Sequence, residues 1–138
     1  MTDDKKEILY KFQNRITILI FLTGASIHIT ALIIGREKFL AYVFTPLFDS
    51  IFSIPMAFAG ITGILLWKNM LLEKTWKKIV YWVSMFYMTM SIPLHIQTIL
   101  TQDTTYINKF PEIYSYFIIP VMLFFSWFFL TQIKFKKS

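Results

Sequence analysis

The chain contains 138 residues, of which 56% are hydrophobic and none is cysteine, and its formal net charge is +6 at pH 7. With a mean hydropathy of +0.55 it is too apolar for a soluble domain of this length, so the composition predicts a membrane protein. The absence of cysteine excludes disulfides and thiolate metal sites. Because the basic residues lie between apolar runs and not along one stripe, we expect no nucleic-acid partner.

Four apolar segments are long enough to cross a bilayer as α-helices. They are residues 16–34, 46–67, 79–100 and 113–133. The second starts at Thr45-Pro46, a favoured N-cap followed by a proline at the first helical position. Residues 39–44 before it are predicted to be interfacial chain, and Pro55 is expected to kink or loosen the helix. The sequence therefore predicts one all-α domain over residues 1–138, an integral membrane four-helix bundle.

The distribution of basic residues predicts the orientation of the bundle. Four Lys or Arg residues precede the first span, four lie between the second and third, and three follow the fourth, which places eleven on one side. The other side has three, namely Arg36, Lys38 and Lys109. The positive-inside bias then places both termini in the cytoplasm. The host membrane would be the cytoplasmic membrane in a bacterium, or the endoplasmic reticulum in a eukaryote.

Asp49 is the one formally charged residue between Phe39 and Trp67. An ionisable side chain costs about 2.5–3.5 kcal/mol at the centre of a membrane helix and less near its ends, so it tends to face a partner or a cavity. The position near a helix N-terminus offers a second interpretation, because the helix dipole favours a carboxylate there. Both interpretations stay open at this stage.

Other polar side chains lie at nearly the same depth as Asp49. His28 lies six residues before Ile34 and His95 lies six before Thr101, so both are about 9 Å inside the outer ends of their helices. Gln97, Tyr114 and Tyr116 belong to the same level, whereas the inner half of the spans is nearly all apolar. This asymmetry predicts a pocket in the outer half of the bundle, and we expect His28, Asp49, His95, Gln97 and Tyr116 to contribute to it.

The histidines and methionines also have simpler explanations. A single histidine in a membrane helix is more often a hydrogen-bonding partner between helices than a ligand. Two histidines at one depth suggest a bis-imidazole haem, but a second pair and a haem-attachment motif are both missing. Met85, Met88 and Met90 would suit a soft metal, yet methionine in an apolar helix is usually a gap-filler. We therefore expect neither a metal nor a cofactor.

The motif acid-x-x-Phe-x-x-Pro, formed by Asp49, Phe52 and Pro55, resembles the second helix of the EXPERA family. That family includes the sigma-2 receptor and the emopamil-binding sterol isomerases. Three further dipeptides agree with it in order and spacing: Arg36-Glu37, Ile92-Pro93 and Ile119-Pro120. The resemblance covers most of the chain and implies a four-helix bundle with an apolar cavity that opens sideways to the bilayer. It also implies sterol-like or amine ligands, homodimers, and a role for Phe52 in ligand binding.

One difference from the receptor changes the expected ligand. The receptor carries a second acid on its first helix, whereas this chain has Ile27-His28-Ile29 in that neighbourhood. We expect His28 to lie beside Asp49 and to neutralise it, which favours neutral sterol-like or isoprenoid lipids over cationic amines. Two alternatives remain: a double-bond isomerase in which His28 or His95 donates a proton with Asp49 as partner, and a non-catalytic subunit of a membrane complex.

Overall fold

A computed structural model describes residues 1–103 and 113–137 of the chain. Its helices are α1 (Asp3–Ile34), α2 (Arg36–Tyr42), α3 (Pro46–Leu66), α4 (Thr75–Thr101) and α5 (Ile113–Thr131), with a single 3-10 turn at Trp67–Asn69. Within the described ranges α1, α3, α4 and α5 are long and apolar enough to cross a membrane. The predicted all-α membrane four-helix bundle is therefore confirmed.

The first helix is longer than its apolar segment, since α1 begins at Asp3 and not near residue 16. Asp3 and Asp4 occupy its first turn, where the helix dipole favours negative charge. The added turns bring Gln13 into the core, where its Nε2 donates to Thr17 Oγ1 at 2.9 Å and to the Ala59 carbonyl at 3.1 Å. Gln13 lies just before the predicted span 16–34, and its buried amide connects α1 to α3 in the inner half of the bundle.

The segment before α3 differs from the predicted interfacial chain, because residues 36–42 form the short helix α2. Gly35 joins α1 to α2 with φ of +85°, a conformation that residues with a side chain rarely adopt. Phe39 is buried and stacks on Phe44, with ring centroids 5.8 Å apart. This packing fixes α2 against the end of the bundle that lies away from the two termini, which we call the outer end.

The start of α3 follows the sequence prediction. Thr45 is the N-cap, its Oγ1 accepts a hydrogen bond from the Phe48 amide at 3.2 Å, and Pro46 is the first helical residue. The helix continues around Pro55 to Leu66. Its direction places Asp49 in the first turn, at the outer end of the bundle.

The helices pack in an uneven ring. α1 lies against both α3 and α5, and α3 lies against α4, whereas the backbones of α4 and α5 rarely approach each other over the described residues. Gly63 permits one close approach, because a Cβ atom there would lie 2.9 Å from the Gln13 amide nitrogen. Side chains nevertheless join α4 and α5, as where Tyr81 packs on Phe129 with ring centroids 5.8 Å apart.

The C-terminal segment is fastened to the inner end of the bundle. The Leu71 amide donates to the Lys134 carbonyl at 2.9 Å, and the Lys136 amide donates to the Asn69 carbonyl at 2.7 Å. Lys137 pairs with Asp4 at 3.1 Å, and this hydrogen bond raises the pKa of Lys137. The N-terminus, the α3–α4 connection and the C-terminal segment thus lie at the same end, as an even number of spans requires.

Candidate functional site

A cavity of about 750 Å³ lies in the outer half of the bundle. This volume falls in the usual range of ligand pockets, roughly 300–1,000 Å³. All five helices or their flanking residues contribute to its wall, and most lining side chains are apolar. Its polar side chains are Tyr87, Ser91, His28, His95 and Tyr114.

The cavity is open on the side of α4. Val83, Phe86 and Met90 all line it, yet each is more than half exposed, with Phe86 at 62%. These residues lie on the helix whose backbone rarely approaches α5. In a membrane these exposed apolar side chains would face the acyl chains.

A carboxyl–imidazole pair lies at the outer end of the cavity. His95 Nδ1 lies 2.5 Å from Asp49 Oδ1, and the side chain of Asp49 is completely buried while that of His95 is 15% exposed. The second carboxyl oxygen, Oδ2, is also buried and has no hydrogen-bond partner among the described residues. Since Nδ1 is engaged with Asp49, Nε2 is the ring nitrogen that remains for the cavity.

The opposite wall carries a second histidine. His28 Nδ1 lies 2.9 Å from Ser115 Oγ, and its ring meets the edge of Tyr114 with centroids 5.7 Å apart. The hydroxyl of Tyr114 is 3.2 Å from that of Tyr87. These contacts connect α1, α5 and α4 around the cavity at the level of the imidazole.

The structure brings together some of the residues expected at the site. His28, His95 and Phe52 line the cavity, and Asp49 lies directly behind His95. Gln97 and Tyr116 are exposed and lie outside the lining, Tyr116 at 62%.

The pairing of the histidines also differs from the expectation. The imidazole bonded to Asp49 belongs to His95, whereas His28 bonds to Ser115. The reason is the local packing, since α3 packs on α4 and α1 meets α5 at His28 through Ser115.

Sequence reasoning missed several polar residues of the site. Tyr87 and Ser91 line the cavity, and Ser115 holds His28. Tyr87 and Ser91 are four residues apart in α4, and His95 follows after another four, so all three lie along one helix face. This spacing of four residues from His95 could have identified Tyr87 and Ser91 from the sequence.

In the described part of the chain, no three His, Asp or Glu side chains lie close enough together to hold a metal ion. Met85 and Met88 are fully buried in the core, where they fill space between the helices. The arrangement can instead hold an apolar molecule, donate or accept hydrogen bonds at its outer end, and move a proton through His95.

The fold and site together define an integral membrane four-helix bundle with an apolar cavity and a buried carboxyl–imidazole pair. Comparisons of the chain with protein-family profiles, with curated proteins and with solved structures found no match. The resemblance to the EXPERA family therefore stays a prediction.

Proposed function

We propose that this protein binds a neutral sterol-like or other isoprenoid lipid in the cavity between its helices. The observation that carries the proposal is an apolar cavity of about 750 Å³ whose polar groups are few and lie near His28 and His95. Such a cavity suits an amphiphile with a large apolar body and one small polar group. The opening beside Phe86 and Met90 gives a lipid a route from the bilayer.

The charge of the site supports a neutral ligand. Asp49 is fully buried and is already bonded to His95, so a ligand ammonium would have to displace the imidazole to reach the carboxyl. A neutral lipid forms its hydrogen bond without separating this pair and without burying an unpaired charge. Neutral lipids are therefore favoured over cationic amphiphiles.

A second candidate function is double-bond isomerisation in the bound lipid. One observation favours it: a carboxyl group bonded to Nδ1 fixes the imidazole of His95, which lines the cavity, and Nε2 takes no part in that bond. Imidazoles in such pairs act as proton donors and acceptors near neutral pH. In this case Asp49 would orient His95 and stabilise the imidazolium.

Mass spectrometry of lipids retained by the purified protein tests the proposal. We expect one class of neutral isoprenoid lipid to survive detergent exchange in the natural protein. The variant Ala31→Phe, which places a ring on the cavity wall, should lose that lipid. Retention of no lipid, or equal retention by both proteins, would favour a non-catalytic subunit, and a shifted double bond in the recovered lipid would favour the isomerase.

A further inference from the structure

We propose that His95 recognises the lipid by donating its Nε2–H to an acceptor oxygen, so that a ketone or ether oxygen serves as well as a hydroxyl. This inference rests on the proposed lipid binding and deepens it by defining the polar group of the ligand. It follows from counting the protons that the Asp49–His95 pair can hold.

The pair has four arrangements compatible with one hydrogen bond between Asp49 Oδ1 and His95 Nδ1. In the first, an ionised carboxylate faces an imidazolium, which carries protons on both ring nitrogens. In the second, a carboxyl protonated on Oδ1 donates to Nδ1 of a neutral imidazole, whose own proton is then on Nε2. In the third, the carboxylate is ionised and the neutral imidazole has its proton on Nδ1, so Nε2 is bare. In the fourth, a carboxyl protonated on Oδ2 accepts at Oδ1 from Nδ1–H of a neutral imidazole, so Nε2 is again bare.

The third arrangement is disfavoured because it leaves a net negative charge in the bundle. Asp49 has no exposed surface, and its Oδ2 lacks a hydrogen-bond partner among the described residues. A charge within a membrane helix is costly at the centre and less so toward the ends. The dipole of α3 offsets only part of this cost for a carboxylate in the first turn. The fourth arrangement is disfavoured because it would bury the Oδ2–H donor without an acceptor among the described residues. The first two arrangements are therefore the populated ones.

The first two arrangements present the same group to the ligand. In each of them Nε2 of His95, a residue of the cavity lining, carries a proton and can act as a hydrogen-bond donor. The nearby Ser91 hydroxyl does not replace it, because its proton goes to the Met88 carbonyl at 2.7 Å. A ligand thus needs an acceptor oxygen, and a proton on that oxygen adds nothing to the contact with His95.

A matched series of saturated steroids separates these possibilities in protein reconstituted into nanodiscs. The probes are cholestanol, its ketone cholestanone, its methyl ether and the hydrocarbon cholestane. We expect the ketone and the ether to bind within about threefold of cholestanol, and cholestane about tenfold more weakly, which is the usual scale of one net hydrogen bond. Binding of cholestanol with loss of both ketone and ether would overturn the inference.

Variants assign the effect to one histidine. His95→Leu should bring cholestanone down to the level of cholestane, and His95→Gln, which keeps an N–H donor, should restore part of the difference. Glu37→Leu, which removes an exposed acid outside the cavity lining, should leave the ratio of ketone to hydrocarbon unchanged. A ratio that falls in His28→Leu and not in His95→Leu would contradict the assignment.

Nitrogen NMR of ring-labelled histidine tests the proton directly in the unmodified protein. We expect a one-bond N–H coupling at His95 Nε2 in the absence of added steroid, and a bare Nε2 would overturn the proton count. Failure of all four steroids, cholestanol included, while Nε2 is protonated would instead reject sterol-like lipid binding and the ligand assignment with it.

Discussion

The Nδ1 atom of His95 lies 2.5 Å from Oδ1 of Asp49 and joins the outer ends of two neighbouring helices. Asp49 is the fourth residue of α3, and His95 lies six residues before the end of α4. The contact therefore does two things at once. It provides a partner for a fully buried carboxyl, and it fixes one ring of the cavity wall.

Substitutions at Asp49 separate a role in the site from a role in helix stability. Asp49→Leu releases His95 from its fixed orientation, so we expect lipid retention to fall about tenfold or more, the scale of a hydrogen bond to a charged group. Asp49→Asn still bonds to His95 and should retain lipid within about twofold. The measurement is retained lipid beside thermal unfolding for each variant.

The matched control for this series is Glu37→Leu, which removes an exposed acid near the same end of the bundle. It should change neither retention nor cavity binding. If Asp49 serves the helix dipole alone, Asp49→Leu would cost a few tenths to about 1 kcal/mol of stability and leave retention intact. That outcome would remove Asp49 from the site.

The response to amines tests how the pair distributes its charge. An amphiphilic amine should bind the natural protein more weakly than its uncharged analogue, because the Asp49 carboxyl is already occupied by His95. His95→Leu frees the carboxyl, and a hydrogen bond between charged groups should then improve amine binding about tenfold or more. Competition assays with the two compounds provide the measurement.

His28→Leu is the control for this experiment, since His28 bonds to Ser115 and not to Asp49. We expect it to leave the preference for the uncharged analogue unchanged. Tight binding of the amine by the natural protein, unaffected by His95→Leu, would mean that the carboxyl plays no part in choosing the ligand.

The sequence predicted the elements well because charge-free length is a direct signal. The expected spans 46–67 and 79–100 correspond to α3 (Pro46–Leu66) and α4 (Thr75–Thr101). The Thr45-Pro46 start was also correct, since a capping hydroxyl and a proline act locally. The start of α1 was missed because hydropathy marks only the apolar part of a helix. Polar turns such as the one around Gln13 extend α1 beyond that part.

The site was predicted less well, for a reason that recurs at two positions. Depth along a helix can be counted from the sequence, but direction around it decides what a side chain contacts. Neighbours two positions apart differ by about 200° around the axis. Thus Gln97 lies outside the cavity that His95 lines, and Tyr116 lies outside the cavity that Tyr114 lines. The helix order, which selects the partner of Asp49, has no signal in a single sequence.

Filling the cavity should remove binding without removing the fold. Ala31 lies on the cavity wall, so a ring introduced by Ala31→Phe takes space that the lipid needs. We expect retained lipid to fall several-fold, with unfolding at nearly the natural temperature because the ring enters existing space and not the packed core. Ala41→Phe places the same ring on exposed α2 and should leave retention unchanged. Equal retention in both variants would argue against this cavity.

The inner end of the bundle has its own test, at the contact between α1 and the C-terminal segment. The buried Tyr10 hydroxyl donates to the Ile133 carbonyl at 3.1 Å. Tyr10→Phe should lower the free energy of unfolding by about 0.5–1.5 kcal/mol, as expected for one hydrogen bond, and leave lipid retention unchanged. Tyr42→Phe is the matched control, since Tyr42 is 82% exposed. Equal stabilities of the two variants would mean that this contact does not hold the segment.

Orientation in the membrane can be read with two cysteines that replace two exposed glutamates. The chain has no native cysteine, so each substitution reports one position and removes no basic residue. Glu37→Cys should react with an impermeant maleimide from outside the cell, and Glu73→Cys should react after permeabilisation, because eleven of fourteen basic residues lie on the side of Glu73. Labelling of both cysteines from the same side would contradict the four-span bundle. Labelling of Glu73→Cys from outside, with Glu37→Cys labelled only after permeabilisation, would mean that the bundle has the opposite orientation. The expected pattern places the Asp49–His95 end of the cavity in the outer leaflet, so the polar group of the lipid would enter from that leaflet.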